Sequence, residues 1–202
     1  MVICPTECRL PAGLSPARRQ GRYENNMKCI TNKPPRWKES YSVYFLTFCT
    51  FGHRKILHRD RVPVLIAEDL NYYSKIIKEL IAYTIMPDHI HLLIKVEDVK
   101  SLSKFLQSFK THSSKKIQEL IGKSSTPIWQ RGTMDHCIRE SSTNIDFENH
   151  LKYLFYNSQK DLGISPKNYP YHNFQEIVLR GWLGEDFCEF SERIEKEFAI
   201  YE

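Results

Sequence analysis

Ile81-Ala-Tyr-Thr-Ile-Met86, Pro87-Asp88, His89-Ile-His-Leu-Leu-Ile-Lys-Val96 is the stretch on which the fold turns. Both flanking runs are rich in β-branched and apolar residues, and the Pro-Asp pair between them favours a tight turn. The reading is a β-hairpin with strands at 81–86 and 89–96. Strand side chains alternate faces, so His89 and His91 point one way while Ile90 and Leu92 point into the opposite layer.

Working outward, Tyr41–Thr50 is a further β-branched and aromatic run and reads as a strand. Arg61–Leu80 has apolar residues at helical spacing (Val64, Leu65, Leu70, Ile76, Ile77, Leu80), with Pro63 tolerated in the first turn. On the other side, Ser101–Ile121 is a long amphipathic helix with Leu102, Phe105, Leu106, Phe109, Ile117 and Leu120 on one side, closed by Gly122. A short extended piece at Ile128–Gln130 and a fourth strand at Thr133–Arg139 follow. Asn144–Lys160 is a third helix, closed by Gly163, and a loop with Tyr169, Tyr171 and Phe174 leads to one or two helices and an acidic end.

The order β-α-β-β-α-β-α is that of an α+β, ferredoxin-like split βαβ core. The expectation is an antiparallel sheet with helices on one face, plus an added C-terminal helix. Residues 1–36 show no period and read as a loosely ordered basic segment, in which Met27 is a candidate start. Residues 37–163 read as the main domain and 164–202 as its helical, acidic extension.

The chain has 202 residues and a net charge of +5, unevenly spread. Residues 1–60 sum to +7, 61–99 to −2, 100–139 to +6 and 140–202 to −6. Two basic blocks suggest a surface for a polyanion, with a merely solvated lysine-rich helix face as the bland alternative. No apolar stretch is long enough to span a membrane. Pro5, Glu7, Arg9 and Pro11 interrupt any secretory h-region, so a cytoplasmic location is expected. The six cysteines (Cys4, Cys8, Cys29, Cys49, Cys137, Cys188) form no CxxC pair, which argues against a zinc cage built from paired cysteines and for free thiols.

Two constellations carry chemistry. His89 and His91 share a strand face and can share a divalent cation, although an HxH by itself also fits ordinary strand histidines. On the third helix, Tyr153 and Asn157 stand four apart and therefore on one face. A phenol with a pKa near 10 is a poor nucleophile until the phosphate it attacks is polarised, and an amide oxygen one turn away is a candidate third ligand. The alternative is that Tyr153 packs and Asn157 sits near a helix end. Tyr156, three residues on, is a second tyrosine that competes in principle; Tyr153 is preferred because it is i−4 to Asn157.

Taken together, MPDHIHLLI, SFK, WQRGTMDHCIR and YLFYN, in that order, resemble the HUH superfamily of single-tyrosine transposases, closest to the REP-associated branch. The resemblance runs from about Tyr44 to about Phe187. It implies a ferredoxin-like catalytic core, Mg or Mn as cofactor, and single-stranded DNA, often beside a hairpin, as substrate. Carried over by position, His89 and His91 are metal ligands, Asn157 the third ligand and Tyr153 the nucleophile. Lys110, Trp129, Gln130, Asp135, His136 and Arg139 fall in family motifs. Lys110, Trp129 and Arg139 are expected at the DNA, with Asp135 and His136 supporting the site; Lys115, Lys116 and Arg131 join the contacts from the second basic block. The family usually continues the Tyr-x-x-x-Asn helix with Pro-Val, whereas Ser158-Gln159 stands here.

The expected activity is cleavage and rejoining of single-stranded DNA through a 5′-phosphotyrosine link. The rivals are a non-catalytic hairpin binder of the same fold, a replication initiator or relaxase that nicks rather than transposes, and a metal-binding or interaction protein without nucleic acid. Monomer and homodimer both remain open.

Overall fold

The computed structural model describes residues 42–138, 144–184 and 187. The N-terminal segment, Tyr41, Arg139 and nearly all of the acidic end lie outside the described residues. The elements run β1 (Val43–Cys49), α1 (Val62–Tyr73), β2 (Glu79–Ile85), β3 (His89–Lys95), α2 (Val99–Ile121), β4 (Met134–Ile138), α3 (Ile145–Leu162) and α4 (Phe174–Leu179). Among the described residues no helix is long and apolar enough to cross a membrane.

The four strands form one antiparallel sheet in the order β2-β3-β1-β4. That order is the split βαβ topology expected from the sequence. Alternation along the strands divides the core in two. Tyr44, Leu46, Phe48, Ile90, Leu92 and Ile94 face α1 and α2, against Ile66, Leu70, Leu102, Phe105 and Phe109. Phe45 and Leu93 face the other way, against Leu151, Leu154 and Phe155 of α3 and Phe174 and Ile177 of α4. Each such fully buried side chain contributes about 1.5–3 kcal/mol, so both faces of the sheet are firmly covered. The two helices of the βαβ units therefore share one face, and the added helix closes the other.

The helix predicted over 61–80 stops at Tyr73. The Ser74 hydroxyl donates to the Asn71 carbonyl at 2.7 Å, and the Ile77 amide turns back onto the Ser74 carbonyl at 3.0 Å. The Lys78 amide then donates to the Lys95 carbonyl, so Glu79 and Leu80 enter β2. Pairing with β3 outweighs the helical spacing of Ile76, Ile77 and Leu80, which is ambiguous in so short a run. A register shift between Leu80 and Ala82 puts both Ile81 and Ala82 in the core beneath α3. α2 starts two residues earlier than expected because Asp98 caps it, its carboxylate accepting from the Ser101 amide at 2.8 Å.

Candidate active site

β3 is central and hydrogen-bonded on both sides, so its backbone is rigid where it presents the two histidines. Their rings meet edge to face with centroids 4.7 Å apart. His91 is 1% exposed. Its Nδ1 lies 2.9 Å from the Thr47 hydroxyl, its register partner on β1. His89 Nδ1 lies 2.7 Å from the Asp88 carboxylate. With Nδ1 of each ring donating to those oxygens, each Nε2 is left with its lone pair.

α3 lies over this face. Its Tyr153 ring stands edge-on to His91 at 5.5 Å, and the Phe45 ring packs on both, at 5.4 Å from His91 and 5.9 Å from Tyr153. One turn on, Asn157 is fully buried, and its Nδ2 donates to the Tyr153 carbonyl at 2.6 Å. That bond spends the amide's donor side within the helix and leaves Oδ1 as the acceptor on offer. His89 Nε2, His91 Nε2 and Asn157 Oδ1 are all buried without a hydrogen-bond partner. Unsatisfied buried polar atoms are costly and rare, and three from one strand and the facing helix are the donor set a divalent cation takes. Two imidazole nitrogens and one amide oxygen suit Mn, and suit Mg when water supplies further oxygens.

The electrostatics fit that use. Burial holds the His91 pKa well below the ordinary imidazole range; the neighbouring His89 pushes the same way, and Asn157 opposes, although its Oδ1 stays outside hydrogen-bond geometry. A neutral imidazole is the ligating form. Asp88 is held below the usual carboxylate range: burial alone would raise it, but the hydrogen bonds and charges of His89 and His53 outweigh that.

A cleft of about 640 Å³ opens between the sheet and α3, lined by His89, His91 and Tyr153 together with His53, Lys55 and Lys160. Tyr156, by contrast, is 5% exposed and belongs to the core beneath α3. The missing Pro leaves α3 uninterrupted through Ser158 to Leu162, ending where Gly163 takes φ 68°. Asn157 keeps its place, and the extra turn carries Lys160 to the cleft wall.

The other expected contacts scatter. Trp129 is 6% exposed, packs against Phe48 and Phe109, and donates from its indole to the Ser113 hydroxyl at 2.9 Å. It is a core residue, and its rings offer no platform for a base; the short apolar piece at 128–130 had no period that would reveal this. Lys110 donates to the Gly132 carbonyl and lies over the Phe48 ring, bracing the segment before β4. Lys116 pairs with the buried Asp69 of α1. Lys115 is exposed on the same helix, in the layer across the sheet from the histidines. Arg131 and Asp135 are exposed. His136, on β4, does reach the cleft and contacts Asp146 at 3.3 Å. Sequence reasoning missed Thr47 and Asp88 as partners of the histidines, and Lys55 and Lys160 at the cleft. Thr47 depends on strand register, which no local pattern carries; Asp88 was visible beside His89 but read only as a turn residue.

Comparison with known proteins bears on the family and the fold. The family described as transposase IS200-like matches residues 40–153. A Haemophilus influenzae protein named as a REP-associated tyrosine transposase is 27% identical over 170 residues, covering 72% of this chain and 86% of the relative. The fold is similar to a solved REP-associated tyrosine transposase bound to a REP hairpin, with TM-score 0.59 at 19% identity, covering 73% of this chain and 86% of that one.

Proposed function

The chain belongs to the IS200-like transposase family, and on that premise we propose that it cleaves and rejoins single-stranded DNA beside hairpins, with Tyr153 as nucleophile. His89, His91 and Asn157 would hold the divalent cation, Mg or Mn. The observation that carries this reading is that His89 Nε2, His91 Nε2 and Asn157 Oδ1 are all buried without a partner, with the Tyr153 ring 5.5 Å from that of His91. A hairpin as ligand is suggested by the solved relative, which was captured with one.

When bound, the cation would supply Lewis-acid withdrawal of charge from the scissile phosphate. The chain's own groups do the rest. Thr47 and Asp88 fix the rings of His91 and His89 by accepting from Nδ1. Phe45 packs on the Tyr153 ring and keeps water from one side of it. The Tyr153 phenol would give up its proton to solvent and its oxygen attack phosphorus, while the bond to the 3′ oxygen breaks and that oxygen takes up a proton from solvent. The products are a 5′-phosphotyrosine and a strand ending in a 3′-hydroxyl. Attack by another 3′-hydroxyl reverses the step and joins strands without a nucleotide cofactor. Lys55 and Lys160 line the cleft wall and would contact the strand's phosphates.

The test mixes the full chain with Mn and a single-stranded hairpin oligonucleotide and looks for an SDS-resistant adduct. Wild type forms it; Tyr153→Phe does not but still retards the hairpin on a gel. An adduct that survives Tyr153→Phe, or wild type that only binds, rejects the assignment and favours a non-catalytic hairpin binder.

A further inference from the structure

A second group of ligating atoms lies on the same cleft, outside the trio above. His136 on edge strand β4 and Asp146 and His150 on the first two turns of α3 bring one imidazole, one carboxylate and another imidazole together, with ligand atoms within 4.8 Å of one another. Asp146 bridges the edges of the two rings, its two oxygens 3.3 Å from His136 Nε2 and 3.1 Å from His150 Nδ1. The rings stack at 4.6 Å with only 12° between their planes. Asp146 and His150 are one helical turn apart, which puts both on one face of α3. Tetrahedral zinc, with bonds of about 2.0–2.2 Å, sets its ligand atoms about 3.3–3.5 Å apart, so little movement is needed to close this set on an ion.

We propose that His136, Asp146 and His150 form a second, zinc-type metal site that ties the tyrosine helix to the edge of the sheet. The chemistry of the set selects the class of ion. Two imidazoles with one carboxylate suit Zn, Co or Ni rather than Mg, and three protein ligands leave a position for water. His150 Nδ1 donates to the Asp146 backbone carbonyl at 2.7 Å. Coordination exchanges that bond for the metal, and the ring proton moves to Nε2. The Phe45 ring separates the two sites, 5.4 Å from His91 and 5.1 Å from His150. The consequence is positional: the ligands are on β4 and on the helix that carries Tyr153, so binding would fix the nucleophile against the sheet. The site stands independently of the role given to the other histidines.

Zinc uptake by the full chain under reducing conditions, measured by equilibrium dialysis, tests it. His136→Ala changes an exposed side chain and should lose one equivalent relative to wild type; thiol sites contribute equally to both and cancel. His89→Ala with His91→Ala should retain that equivalent, and zinc should still raise its melting temperature. Adding Asp146→Asn to that pair should remove the rise. Equal uptake by wild type and His136→Ala, or a melting shift that survives Asp146→Asn, overturns the proposal and leaves a carboxylate bridging two histidines by hydrogen bonds alone.

Discussion

At the residue scale, the proposed pair of histidine ligands depends on two oxygens outside the ligand set. Thr47→Val removes the acceptor for His91 Nδ1 and Asp88→Asn weakens the one for His89. Loss of such outer partners costs about 10–100-fold in metal affinity, and Mn titration of each variant should read a drop in that range; unchanged affinity would mean the rings are fixed by packing alone. His172 gives a separate prediction. Its Nε2 donates to the Pro166 carbonyl at 2.6 Å and its Nδ1 accepts from the Phe174 amide at 3.2 Å, so the neutral ring is fully used. Burial lowers its pKa, with the carbonyl bonds opposing, and burial lowers that of His150 as well. A folded-state value below the unfolded one, about 6.5, means the unfolded chain takes up the proton first as pH falls. Stability is therefore intact above about pH 6.5 and declines on acidification toward the depressed folded-state values. Melts between about pH 7.5 and 5 should show that fall, with a shallower slope in His172→Gln; a flat profile in wild type counts against it.

At the scale of single elements, α3 matters most because one continuous helix carries Tyr153, Asn157 and Lys160. Ser158 lies inside it and is fully buried, with its hydroxyl donating to the Phe155 carbonyl at 3.1 Å. Ser158→Pro restores the family's usual residue but removes a helical amide and crowds the preceding turn, at a cost of about 3 kcal/mol. Denaturant unfolding should register it; a loss well under 1 kcal/mol would show that the helix end rebuilds easily. Elements were also where the sequence was most and least readable. The 81–96 hairpin announced itself because alternation and a turn pair are local signals. The end of α1 did not, since Ile76 and Ile77 satisfy helical spacing while pairing with β3 decides the outcome. Trp129 shows the same gap: an aromatic in a short apolar piece reads equally as core or as platform until Phe48 and Phe109 are seen around it.

For the whole molecule, charge and site do not coincide as the basic blocks suggested. The positive block at 100–139 belongs mostly to α2, across the sheet from the histidines, and two of its lysines already have partners in Asp69 and the Gly132 carbonyl. Block sums ignore which layer a residue occupies, so they find that a chain favours polyanions without finding where. If single strands run through the cleft, Lys55 and Lys160 should matter more than Lys115 and Lys116. Hairpin affinity should fall about tenfold or more from about 50 to 200 mM salt if three or more phosphates are contacted. Replacing Lys55 and Lys160 by Gln should flatten that slope, whereas replacing Lys115 should leave it nearly unchanged; the reverse ranking would move the strand to the α2 layer.

The chain after α3 returns to the sheet. The Ile85 amide donates to the Tyr171 carbonyl, the Tyr83 amide to Asn173 Oδ1, and Asn173 Nδ2 to the Ile81 carbonyl. One margin of the sheet is thereby sealed by the protein itself against strand addition, the usual route to unwanted self-association. An extended strand from another molecule therefore finds no open ladder to join along β2.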